Sequence, residues 1–164
     1  MFMRAWITLC EAHSFAEWFG DSVVVDKDHQ PLPVYHGTAT TFDKFEHRRS
    51  IPLAEIGFWF AASSEVAQLV AWRKGNDTRV VAAYLKLERP FVLAKAGVDG
   101  LRLLVDAVAP RGEVTREAVA GFRQHLIEQG HDGIILRNVM ADGGRTDNYV
   151  VFSPHQIHII NRNP

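Results

Sequence analysis

The sequence predicts an α+β domain on a mixed or split β-sheet with peripheral helices. Three observations carry this prediction. β-Branched and aromatic runs of strand length recur from residue 22 to residue 160, only modest helical stretches interrupt them, and there is neither a regular strand-helix alternation nor an internal repeat. A doubly wound nucleotide-binding fold is disfavoured by the same irregular order.

The chain has 164 residues, a length that suits one domain able to bury a core without metals or disulfides. It reads as a single domain over 1–164, with 1–20 as an N-terminal helical segment. The formal net charge is -1 with the charges well mixed, which points neither to nucleic acid nor to a membrane surface. Cys10 is the single cysteine, so a disulfide framework and a cysteine metal cluster are excluded and a reducing compartment fits. No apolar run approaches the roughly 20 residues that span a bilayer, and Glu11 and His13 arrive too soon for a signal peptide. The expected location is cytoplasmic, without a membrane partner.

Taken in order, Trp6, Leu9 and Cys10, then Phe15, Trp18 and Phe19, are spaced three and four apart and predict one or two short helices ending at Gly20. Ser22 to Val25 is β-branched, Asp26 to Gln30 is turn chemistry, and Pro31 to Tyr35 is extended, a hairpin that delivers His36 at a strand end. Gly57 to Ala61 reads as a short buried strand. Ser63 or Ser64 then caps a helix that carries Val66, Leu69 and Val70 and closes near Gly75. Arg79 to Leu87 alternates as a strand and Pro90 breaks it. Val98, Leu101, Leu104, Val105 and Val108 mark one helix, and Ala118, Val119, Phe122 and Leu126 the next. The tail gives strands at 133–136, 149–152 and 156–160, separated by a glycine-rich loop over 141–147 and by Ser153-Pro154.

Several common sites are missing from the sequence: there is no Gly-x-Gly-x-x-Gly, no phosphate-binding Gly-Lys-Ser/Thr and no Gly-x-Ser-x-Gly. His155 and His158 look like a metal pair, but an odd spacing in a strand puts them on opposite faces, so no metal site is expected. Tyr35-His36-Gly37-Thr38 sets an imidazole beside an exposed backbone, able to hydrogen-bond a flat amide and a ribose; a plain turn histidine explains it too. Of the rings of Phe58, Trp59 and Phe60, at least one must face away from the others, free to stack on a planar ligand, while core packing accounts for two. The loop over 141–148 is either an adaptable substrate contact or a surface connection. Glu46-His47-Arg48-Arg49 is a basic patch for phosphates or a solvated loop.

Taken together and in order, these pieces resemble a known family. The segments Phe15 to Ser22, Val24-Val25-Asp26 and Pro31 to Thr38, continued by Phe42 and Phe45, look like the start of ADP-ribosyltransferase domains in phage and prophage polyvalent proteins. Gly57-Phe58-Trp59-Phe60 with the helix through Val66-Ala67 resembles the second block. Asp132 to Ile135 and Asn148 to Ile157 resemble the third, so that the likeness covers most of 15–160. That family is similar to the diphtheria-toxin and poly(ADP-ribose) polymerase class.

The resemblance implies NAD as co-substrate, with no metal. Tyr35, His36, Gly37 and Thr38 would hold the dinucleotide, with His36 on the ribose and Gly37 on the carboxamide. Trp59, where the class has tyrosine, would stack on nicotinamide, or Phe58 in another register, beside Phe60. Asn148 stands where the class usually has glutamate, and Asp147 is its nearest carboxylate, with Asp142 and Glu55 as substitutes from loops. In the class, the glycosidic bond breaks through an oxocarbenium-like state that an anionic carboxylate both orients and stabilises. Asparagine keeps the hydrogen bond and loses the charge, which at about 4 Å and an effective dielectric near 20 is worth at most about 4 kcal/mol, or about a thousandfold in rate.

The implied function is transfer of one ADP-ribose unit to a macromolecular acceptor, protein or nucleic acid, by a toxin or effector in the host cytoplasm; chain elongation normally needs the glutamate. Three rivals stand beside it. One is a catalytically weak or inactive module that binds NAD or ADP-ribose, or caps a partner. The second is an enzyme similar to the RNA 2′-phosphotransferases, for which only Arg48, Arg49 and Arg145 speak. The last is a phage structural protein with no affinity for NAD.

Overall fold

A computed structural model describes residues 14–38, 51–75, 78–141 and 144–160. These form one seven-stranded sheet with helices on it. Helix α1 covers 14–19, and strand β1 (Val34–Thr38) is followed by a single 3-10 turn at Pro52–Ile56, strand β2 (Phe58–Ala61) and helix α2 (Ser64–Lys74). Then come β3 (Arg79–Leu85), β4 (Phe91–Leu93), α3 (Gly100–Val108), α4 (Arg116–Glu128), β5 (Gly133–Ala141), β6 (Gly144–Val151), a 3-10 turn at Pro154–Gln156 and β7 (Ile157–Ile159). The strand order is β4-β5-β6-β2-β1-β3-β7, parallel at β4–β5 and antiparallel elsewhere, the mixed sheet that the sequence predicts.

Alternation along the strands sorts the core into two clusters. One contains Val34, Phe58, Phe60, Leu85, Tyr149 and Val151 on one face. The other contains Ile134, Leu136 and Val150 on the opposite face, covered by Leu104 of α3, Val119 and Leu126 of α4 and Ile56 of the first 3-10 turn. Among the described residues no helix is long and apolar enough to cross a membrane.

The helix starts follow their caps: Ser63, Asp99 and Thr115 each accept a backbone N–H of the first turn. Gln156 closes the sheet. Its side-chain oxygen accepts from the Phe152 and Ser153 amides while its amide donates to the Lys86 and Asp132 carbonyls, joining the ends of β3, β5 and β6. Gly133 fits the same crossing, since a Cβ there would lie 2.4 Å from both the Leu87 side chain and the Val150 carbonyl.

Several expectations are corrected. His36 lies in the middle of β1 rather than at a strand end. The hairpin before it reduces to one bridge, Val25↔Pro31, around a turn in which Asp26 accepts from Asp28 and Gln30. The inward residues of α2 are Val66, Ala67 and Ala71, and Val70 faces solvent at 39% exposure, because close approach to β1 demands small side chains. Strand β4 follows Pro90, where the sequence suggested only a break; three residues are too few for a period to show. The loop expected over 141–147 is mostly ladder: Val139↔Thr146 is a buried pair, and Met140↔Arg145 and Ala141↔Gly144 follow it toward water. His155 sits in the 3-10 turn, not in a strand. The helix through Trp6, Leu9 and Cys10, the aromatics Phe42 and Phe45, the basic run 46–49 and Asp142 lie outside the described residues.

Candidate active site

The site begins where two central strands part. β1 pairs with β2 at Tyr35↔Ala61, and continuing that register would set Gly37 opposite Trp59, where no pair forms. The His36 imidazole fills this seam. Its Nδ1–H donates to the Trp59 carbonyl at 2.7 Å and its ring packs on Phe60 at 5.6 Å between centroids. That bond makes Nε2 the acceptor nitrogen. Burial first, and the nearby Lys74 charge to a lesser degree, push the imidazole down to about 4 against the raising effect of the Trp59 bond, so His36 is neutral near pH 7.

The register also decides which rings are available. Phe58 and Phe60 are core side chains, 6% and 2% exposed, on the face that includes Val34 and, by alternation, His36 and Thr38. Trp59 points to the other face, half-buried against the cluster under α3 and α4. Asn148 shares that face: it pairs with Ala61 and Leu136 while Trp59 pairs with Val150, so the two are diagonal neighbours. Tyr35 and Gly37 alternate onto the same face. The sheet thus joins Trp59 and Asn148 on one side, and reaches His36 through the seam rather than from a shared surface.

Asn148 carries the signal that most suggests a ligand. Its Oδ1 is buried without a hydrogen-bond partner among the described residues. Buried side-chain oxygens are rarely left so, and an arriving donor such as a sugar hydroxyl would satisfy it. Gly37 is explained differently: a Cβ there would fall 2.0 Å from the Ala67 carbonyl oxygen, so glycine is what lets α2 lie on β1, and only its backbone is left for a ligand. The Gly37 carbonyl already accepts from the Lys74 ammonium at 2.8 Å.

Two of the carboxylates named from sequence, Asp147 and Glu55, are committed elsewhere. Asp147 projects to the face opposite Asn148, forms an ion pair with Arg137 and accepts the Asn138 amide at 2.9 Å, bracing the irregularity between Leu136 and Val139 where Asn138 has φ 59°. Arg137 is raised above its ordinary value; burial opposes this, and Asp147 outweighs it. Glu55 is bound by Arg116 at the start of α4. No group of three or more metal-ligating side chains exists among the described residues.

A family model, ADP-ribosyltransferase in polyvalent proteins, matches residues 26–164. The chain belongs to that family. The match runs from the turn before β1 past β7 and so includes every element of the site. No curated protein and no solved structure matches the chain. For an ADP-ribosyltransferase domain, the parts legible in sequence divide into two kinds. Trp59 and Asn148 share the face beside the β1–β2 seam and His36 lies at that seam on the other face, whereas Asp132 and Gln156 of the third block hold the sheet together: Asp132 accepts the Glu88 and Arg89 amides. Lys74 is the residue that sequence reasoning missed. A lysine in the last turn of a helix is ordinary, and nothing local ties it to a glycine 37 positions earlier.

Proposed function

We propose that this protein is a NAD-dependent mono-ADP-ribosyltransferase of phage or prophage origin that breaks the nicotinamide glycosidic bond and passes one ADP-ribose unit to a macromolecular acceptor. The observation that carries the reading is the orphaned Asn148 oxygen on the same face as Trp59, beside the seam that His36 fills. Trp59 stacks on the nicotinamide ring, Gly37 meets its carboxamide through the backbone, and Tyr35 lines the same face, with the buried Thr38 on the His36 side of the seam. The neutral His36 offers Nε2 to a ribose hydroxyl, held in that tautomer by the Trp59 carbonyl. Asn148 orients the nicotinamide ribose through Oδ1.

With asparagine at that place the developing positive charge on the sugar is met by a dipole rather than a carboxylate. Asp147 acts through Arg137 and the Asn138 turn, holding the β5–β6 ladder next to Asn148, instead of touching the sugar. These commitments also favour the second reading, a module that binds NAD or ADP-ribose and turns it over slowly or not at all. The experiment is incubation of the purified protein with labelled NAD and lysate, reading released nicotinamide and label on macromolecules, with His36→Ala and Asn148→Ala beside it and melting curves for each. Label on a discrete acceptor, lost in folded His36→Ala, supports the transferase. NAD binding without nicotinamide release selects the binding module, and no NAD binding by calorimetry overturns both.

A further inference from the structure

We propose that Lys74 is an exchangeable latch on the dinucleotide site, holding the Gly37 carbonyl in the free protein and turning to the diphosphate when NAD binds. The inference rests on the dinucleotide reading above. Lys74 ends α2 as an exposed residue, yet its ammonium reaches in to donate to the Gly37 carbonyl at 2.8 Å. The approach is fixed by packing, because α2 sits where a Cβ on residue 37 would be. The ammonium is partly stripped of water, which lowers its pKa, and it stands close enough to His36 to oppose protonation of the imidazole.

A lysine head has three donors on a flexible four-carbon stem, and the carbonyl uses one of them. A diphosphate oxygen is the stronger partner, since opposite charge adds to the hydrogen bond. The carboxamide of a nicotinamide at the seam would use the same Gly37 oxygen; that oxygen has two lone pairs, but two donors drawn to one oxygen crowd each other and each weakens the other's bond, so ring and ammonium compete. The two halves of NAD are therefore affected in opposite senses. Nicotinamide alone must displace Lys74 and gives it no anion, whereas ADP-ribose supplies the anion without contesting the carbonyl. A purely structural role, a cation at a helix C-terminus, affects neither half.

The test is calorimetric titration of nicotinamide, ADP-ribose and NAD into the wild type, Lys74→Met and Lys74→Arg, with melting temperatures alongside. Loss or gain of one charge-assisted hydrogen bond corresponds to about tenfold in affinity. Lys74→Met is expected to bind nicotinamide about tenfold tighter and ADP-ribose about tenfold more weakly, with Lys74→Arg close to wild type for ADP-ribose. If Lys74→Met does not fold, Lys74→Gln takes its place. The latch is overturned if the wild type binds all three ligands and the variant shifts neither half or both in one direction. A wild type that binds none of them overturns the dinucleotide reading itself, and the latch with it.

Discussion

Acidification should destabilise this protein through His36. The imidazole ionises at about 4 in the folded chain against an ordinary value of 6.5, a difference of about 2.5 pH units. Below pH 6.5 the unfolded chain takes up a proton that the folded chain refuses, so stability is complete above 6.5 and falls as pH drops toward 4. At about 1.36 kcal/mol per unit the full loss is about 3 kcal/mol, roughly three quarters of it reached by about pH 4.5. That is a large part of the roughly 5–15 kcal/mol that holds a domain together. The assay is urea unfolding at several pH values between about 7 and 4.5, for the wild type and for His36→Asn, which keeps a donor for the Trp59 carbonyl. Subtracting one profile from the other removes the remaining histidines and carboxylates. The reasoning fails if the two profiles run parallel, because the imidazole would then titrate alike in both states.

Three further outcomes are expected. Gly37→Ala must push α2 off β1, since the new methyl would lie 2.0 Å from the Ala67 carbonyl oxygen, and a loss of about 3 kcal/mol or more should appear as a lower melting temperature. Gln156→Ala removes four hydrogen bonds that join three strand ends and leaves the Phe152 and Ser153 amides unmet by that oxygen, which should cost about 2–4 kcal/mol in chemical denaturation. Asn148→Leu runs the other way. It relieves a buried oxygen without a partner, so stability should hold or rise by up to about 1 kcal/mol while NAD binding is lost; a clear drop in stability would mean that Asn148 is a structural residue.

The sequence determined the parts whose information is local. Short apolar runs, the Ser63 cap and Pro154 mark where elements begin, and Phe58, Trp59 and Phe60 announce a strand with one ring turned away from the other two. The ordered blocks around His36, Trp59 and Asn148 also carried the family resemblance, which the match over residues 26–164 bears out. Strand β4 and the ladder at 139–146 escaped, since one is too short to show a period and the other too polar to look buried. What only the tertiary structure decided is everything that depends on register and on distant partners. Alternation from Tyr35↔Ala61 puts His36 on one face and Asn148 on the other, and the ladder between β1 and β2 stops after that one pair, which opens the seam. Lys74 meets Gly37, and Asp147 turns to Arg137 rather than to Asn148. Pairing between strands far apart in the chain is fixed by how whole faces bury together, and no window of residues contains that sum.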